Sequence, residues 1–160
     1  EKPSFRHAFR KRRCLIPASG FYEWAKEEGQ KQPYFIRLKN GSPMAFAGLW
    51  EEWTSTKGET RRTCVILTIA ANSLMQEIHH RMPVILTPSS GAMWLDHSVG
   101  RSSPEKLLLP FSADKMEAWR VSPKVNVPAF DNPDCFRKLE KAEASEKKSE
   151  PPEAQASLFD

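Results

Sequence analysis

In the segment Gly20-Phe21-Tyr22-Glu23-Trp24, one carboxylate stands among apolar and aromatic side chains. Alternation along a strand puts Glu23 on the face opposite Tyr22 and Trp24. Burial there would disfavour the charged carboxylate, which makes Glu23 a candidate acid or base; the plainer alternative is a solvated Glu on the polar side of a half-buried strand. The pair His79-His80 is the natural complement, because histidine titrates nearest neutrality and a Glu and a His can divide acid and base roles. Adjacent histidines point in different directions, and no HExxH helix or cysteine pair accompanies them, so neither a metal nor another cofactor is expected. Arg81 has two readings, a bidentate phosphate clamp or an ion pair with Glu77. Thr68 ends an apolar run, where its hydroxyl would serve a backbone group or a phosphate oxygen. Trp24, Trp50 and Trp53 lie near basic residues, an arrangement that suits either a core or base stacking on single-stranded nucleic acid.

These residues need a scaffold, and the patterning favours strands. Residues 4–13, SFRHAFRKRR, read as a short basic helix with Ser4 as N-cap; Lys11, Arg12 and Arg13 at its end suit either the helix dipole or a phosphate. Cys14–Pro17 and Gly20–Trp24 follow as strands, with a polar turn over Glu27–Gln32. Pro33–Lys39 and Pro43–Trp50 flank Asn40-Gly41, a hairpin signal of the type I′ kind. Arg62–Ala70, RTCVILTIA, is β-branched and nearly all apolar, as in a central strand covered on both sides. Asn72 would cap a helix over Ser73–Ile78, and Val84–Thr87 resumes a strand. Ser89 or Ser90 would cap Gly91–Leu95, Pro104 would open Glu105–Leu109, and Met116–Ser122 closes the strands. The expected class is α+β: a mainly antiparallel, barrel-like sheet with a few short helices.

Composition sets the context. The chain has 160 residues, 39% apolar, with 24 Lys and Arg against 20 Asp and Glu, and no window approaches a membrane-spanning length. Residues 139–160 hold 3 Lys and 6 acidic residues, so that segment carries −3 and residues 1–138 carry +7 of the total +4. The first is expected to be a disordered acidic tail and the second the folded domain. A basic body suits a polyanionic partner or a solvated basic surface. Cys14, Cys64 and Cys135 lack metal or redox spacing, and Cys14 and Cys64 sit in apolar runs as buried free thiols do. No phosphate loop, dinucleotide fingerprint or Gly-x-Ser-x-Gly elbow is present.

Five blocks, Arg13–Trp24, Gln32–Ile36, Ala45–Trp50, Thr68–Asn72 and Ile78–Pro83, together with Val121–Asn126, resemble in order and approximate spacing the SRAP family of SOS-response-associated peptidases or abasic-site processing proteins. The resemblance implies a protein that shields abasic sites in single-stranded DNA. An N-terminal cysteine, exposed by removal of the initiator Met, traps the sugar aldehyde through its amine and thiol as a thiazolidine. By the same resemblance Glu23 and His79 are active-site residues, and Trp24, Thr68 and Arg81 line the DNA groove. The family usually reads IHDRMP, whereas His80 stands here in place of Asp. The family's opening Met-Cys-Gly-Arg and a further active-site Asn precede the part matched, so residues 1–138 are expected to be an N-terminally truncated domain. None of Cys14, Cys64 or Cys135 carries a free α-amino group, so this piece alone is expected not to crosslink.

The tail ends Gln155-Ala156-Ser157-Leu158-Phe159-Asp160 and is similar to short clamp-binding peptides of bacterial replication and repair proteins, with Gln155, Leu158 and Phe159 as anchors. The resemblances together imply a monomeric, cytoplasmic, nucleoid-associated bacterial protein. Two alternatives stay open: a non-catalytic single-stranded DNA-binding fragment, and an adaptor tethered to the sliding clamp.

Overall fold

A computed structural model describes residues 5–98 and 103–139. The chain opens with α1 (Arg6–Lys11), then β1 (Arg13–Ala18), β2 (Phe21–Glu27), β3 (Gln30–Leu38) and β4 (Met44–Thr54). Next come β5 (Thr60–Ile66), β6 (Thr68–Ala70), α2 (Ser73–Gln76), β7 (Arg81–Pro83) and β8 (Ile85–Leu86). Finally α3 (Pro88–Leu95), β9 (Met116–Arg120) and 3-10 turns at Pro104–Leu107, Ala113–Lys115, Pro123–Asn126 and Pro133–Phe136 complete the described residues. The α+β, mainly antiparallel class holds. The strands form separate sheets and do not close into a barrel: β1-β4-β5 with β8 continuing β5's edge of β4, β2-β3-β9, and the short pair β6-β7.

Two apolar clusters hold these layers. Ile36, Met44, Phe46, Met75, Met82 and Met116 fill the space where the two larger sheets meet α2. Phe9, Leu49, Val84, Leu86 and Trp94 join α1 and α3 to the other face of β4. Arg13 is 6% exposed, yet its guanidinium donates to the carbonyls of Phe9, Arg10, Trp94 and Asp96 and lies 5.6 Å from the Trp94 ring. It therefore takes up carbonyls that helix ends leave unpaired. Burial lowers its pKa below the ordinary arginine value, and the charges of Asp96 and Glu105 partly offset that.

Several expectations are corrected. Asn40-Gly41 does not close a hairpin, because β3 pairs with β2 and β9 while β4 pairs with β1, β5 and β8. Only Gly41 of the two has positive φ, and Asn40 Oδ1 accepts the Ser42 N–H, so the turn passes the chain between sheets. The two-residue hairpin turn is Glu28-Gly29, with φ of 48° and 81°, the sign type I′ requires at both positions. The apolar run 62–70 is not one central strand. It breaks at Leu67, and β5 is an edge strand exposed along its whole length, Val65 at 41% and Ile66 at 42%. Cys64 is exposed and Cys14 half-buried. Asn72 caps α2 as expected, accepting the Met75 N–H, but α3 is capped by Thr87 in a reciprocal box with Ser90. Ser4 and the tail 140–160 lie outside the described residues.

Candidate functional site

The site is assembled where β2 approaches the β6–β7 pair. Side chains on one face of β2 are Phe21, Glu23, Ala25 and Glu27, as their partners Ile36, Tyr34, Gln32 and Gln30 show. Phe21 joins the core, and Ala25 is buried. Glu23 follows Phe21 on that face, at the margin of the core.

His79 comes from the segment after α2. Its backbone N–H donates to the Met75 carbonyl at 2.8 Å, and Ala71 N–H donates to the His80 carbonyl at 3.1 Å. These bonds fix the histidine pair between α2 and β7. His79 Nδ1 lies 3.9 Å from Glu23 Oε1, both side chains half-buried, a spacing that becomes an ion pair when the ring is protonated. The Arg81 N–H points at the same Nδ1 at 3.1 Å. A neutral His79 accepting there carries its proton on Nε2, which is then the nitrogen able to donate to a ligand. His80 is exposed and its ring lies 4.4 Å from that of His79, tilted by 40°.

Arg81 does not pair with Glu77. Its Nη2 donates to Thr68 O at 2.5 Å and to Thr68 Oγ1 at 2.8 Å, across the β6–β7 ladder that sets Ala70 against Arg81. Thr68 thus orients the guanidinium, and Nε and Nη1 remain exposed with it for a ligand.

Trp24 is not brought together with the rest. It projects from the opposite face of β2, 37% exposed, and its Nε1–H donates to Asn126 Oδ1 at 2.9 Å. Asn126 ends the Pro123–Asn126 turn and was given no role by sequence reasoning; only a partner 102 positions away explains it. Of the other tryptophans, Trp50 lies 5.2 Å from the Arg12 guanidinium, which also pairs with Glu51, while Trp53 is 60% exposed. Arg13 is fully engaged in the core, so of the terminal cations of α1 it serves structure. No group of three metal-ligating side chains occurs among the described residues, and no helix there is long and apolar enough to cross a membrane.

A carboxylate beside an imidazole, with a cation held next to both on a short strand pair, defines an acid-base site suited to an anionic substrate. The family model of SOS response associated peptidases (SRAP) matches residues 1–128, and the chain belongs to that family. It is 46% identical over 130 residues to the abasic site processing protein YobE of Bacillus subtilis, covering 80% of this chain and 59% of that protein. It is 33% identical to the abasic site processing protein HMCES of Gallus gallus, covering 81% of this chain and 44% of that one. A crystal structure of a Bacteroides thetaiotaomicron protein superposes with a TM-score of 0.82 at 34% identity, over 88% of this chain and 62% of that chain. The chain therefore spans about three fifths of its bacterial relatives' length.

Proposed function

We propose that this chain supplies the acid-base and DNA-binding part of an abasic-site processing protein that acts on single-stranded DNA. The observation that carries the reading is the approach of Glu23 to His79 at 3.9 Å, with Arg81 held beside them by Thr68. In the reaction, an N-terminal cysteine amine attacks the aldehyde of the ring-opened sugar. Water leaves as the imine forms, and the thiol adds to close the thiazolidine. Glu23 takes the proton from the amine, and His79 donates one to the sugar oxygen as the ring opens. Arg81 neutralises a flanking phosphate, and Trp24 packs against the nucleotide next to the lesion.

The test is a crosslinking time course on an abasic oligonucleotide, read by denaturing electrophoresis, with the chain preceded by Met-Cys-Gly-Arg. Residues 1–160 alone give no shifted band, since none of their cysteines has a free amine. In the extended chain, Glu23→Gln and His79→Asn each slow band formation by about 10²- to 10⁴-fold. Wild-type rates in both variants would overturn the acid-base assignment.

Gln155, Leu158 and Phe159 are proposed as a tether to the bacterial sliding clamp, with a Gln155–Asp160 peptide binding the clamp and its Leu158→Ala form not. A monomer in the bacterial cytoplasm suits both activities.

A further inference from the structure

The β2–β3 hairpin segregates charge by face. On the side of the Glu23–His79 pair it carries Glu23 and Glu27, the latter bonded to Tyr34 and paired with Arg120. On the other side it carries Trp24, Lys26 and Lys31, and the ladder sets Lys26 directly opposite Lys31. Like charges directly opposite on one face destabilise a strand pair. Neither lysine forms an ion pair with a carboxylate among the described residues, and both are exposed. The turn Pro123–Asn126 brings an exposed Lys124 to the same side, while Asn126 locks the Trp24 indole by its edge. A cluster of cations around a fixed aromatic face offers both charge neutralisation and stacking, the two needs of a single strand.

β2 lies at the edge of its sheet, with β3 as its one strand partner among the described residues. Glu23 and Trp24 are neighbours on that edge facing opposite ways, so no further strand separates the two faces there.

We propose that the face bearing Lys26, Lys31 and Trp24, with Asn126 as the residue positioning the indole, is a contact surface for single-stranded nucleic acid, continuous around the β2 edge with the Glu23–His79 site. It takes its ligand from the single-stranded DNA reading above, but its evidence is the unpaired lysine pair and the Trp24–Asn126 bond. The surface recognises backbone phosphates and one base face, so it contacts undamaged DNA as well as damaged.

The experiment is fluorescence anisotropy of an undamaged thymidine oligomer and of the same oligomer with one abasic site, over a salt series. Each phosphate contact contributes about 0.7 to the slope of log affinity against log salt on single strands, so Lys26→Ala/Lys31→Ala lowers the slope by about 1.4. Between about 50 and 200 mM salt that is roughly a sevenfold difference in how far wild type and variant diverge. Asn126→Ala leaves the slope unchanged, weakens binding at every salt, and reduces the quenching of a 2-aminopurine placed beside the contact. Asn126→Gln, which keeps an amide, restores part of that quenching, whereas a merely structural role would move the melting temperature and not the quenching. An unchanged slope in the double lysine variant overturns the surface, as does a wild-type protein that fails to bind the undamaged oligomer. The function reading is judged separately by the wild-type preference for the abasic oligomer: a lowered slope without that preference leaves the surface standing and sinks the lesion assignment.

Discussion

Thr68 and Arg81 invite a substitution pair that separates orientation from charge. Arg81 has five N–H donors; those on Nη2 face Thr68 O and Oγ1, which leaves Nε–H and the Nη1 pair for a phosphate. Thr68→Val keeps the β-branched shape and the carbonyl contact and deletes only the hydroxyl acceptor. A hydrogen bond to a charged donor at an exposed site contributes about 1 kcal/mol, so single-stranded DNA affinity should fall roughly fivefold, equally at all salt concentrations. Arg81→Ala removes the cation itself. It should lower the salt slope by about 0.7, so that its defect shrinks about 2.6-fold between roughly 50 and 200 mM. Thr68→Ser, which returns the hydroxyl, should bind nearly as wild type. Anisotropy titrations of the three variants decide the matter. Wild-type affinity for Thr68→Val would refute the orienting role, and a salt slope unmoved by Arg81→Ala would refute the phosphate contact.

Two further outcomes follow from the burial of ionisable groups. Arg13→Met strands carbonyls at the ends of α1 and α3 and should cost about 3 kcal/mol, or about 10 °C in Tm, with Arg13→Lys intermediate; a melting curve unchanged in Arg13→Met would show that those bonds contribute nothing net. Burial pushes up the Cys14 thiol and the Tyr22 and Tyr34 phenols, Tyr34 also through its bond to Glu27. Groups with raised values favour folding while protonated. Their contribution is whole below the ordinary range and is lost as pH climbs through the raised one, so the urea midpoint should fall beyond about pH 9 and less steeply in Tyr34→Phe. A midpoint flat to about pH 11 would contradict this.

The parts of the fold set by local signals were readable from residue types alone. Asn72 announced α2, the strand through Phe21–Trp24 was plain, and alternation placed Glu23 opposite Trp24 as found. What failed needed knowledge of partners. Asn40-Gly41 carries a hairpin signature, but whether a turn returns the chain to its neighbour or hands it to another sheet depends on β2 and β9 competing for β3. Arg62–Ala70 reads as buried because its residues are apolar, and composition does not reveal which sheet edge a strand occupies. At the site, residue types named Glu23, His79, Thr68 and Arg81. They did not reveal that Thr68 serves Arg81, or that Asn126 holds Trp24, because both relations are distances between segments.

Arg13 has a consequence for how the molecule opens. Its side chain is bonded at once to the end of α1 and to the end of α3, elements more than 80 positions apart. Neither helix end can fray without releasing the same guanidinium, so the two should behave as one cooperative unit in hydrogen exchange. Local breathing near Trp94 is then felt at Phe9 and Arg10. The layer behind β4 opens as a whole or stays shut, which leaves the β2 edge on the other sheet free to move on its own timescale.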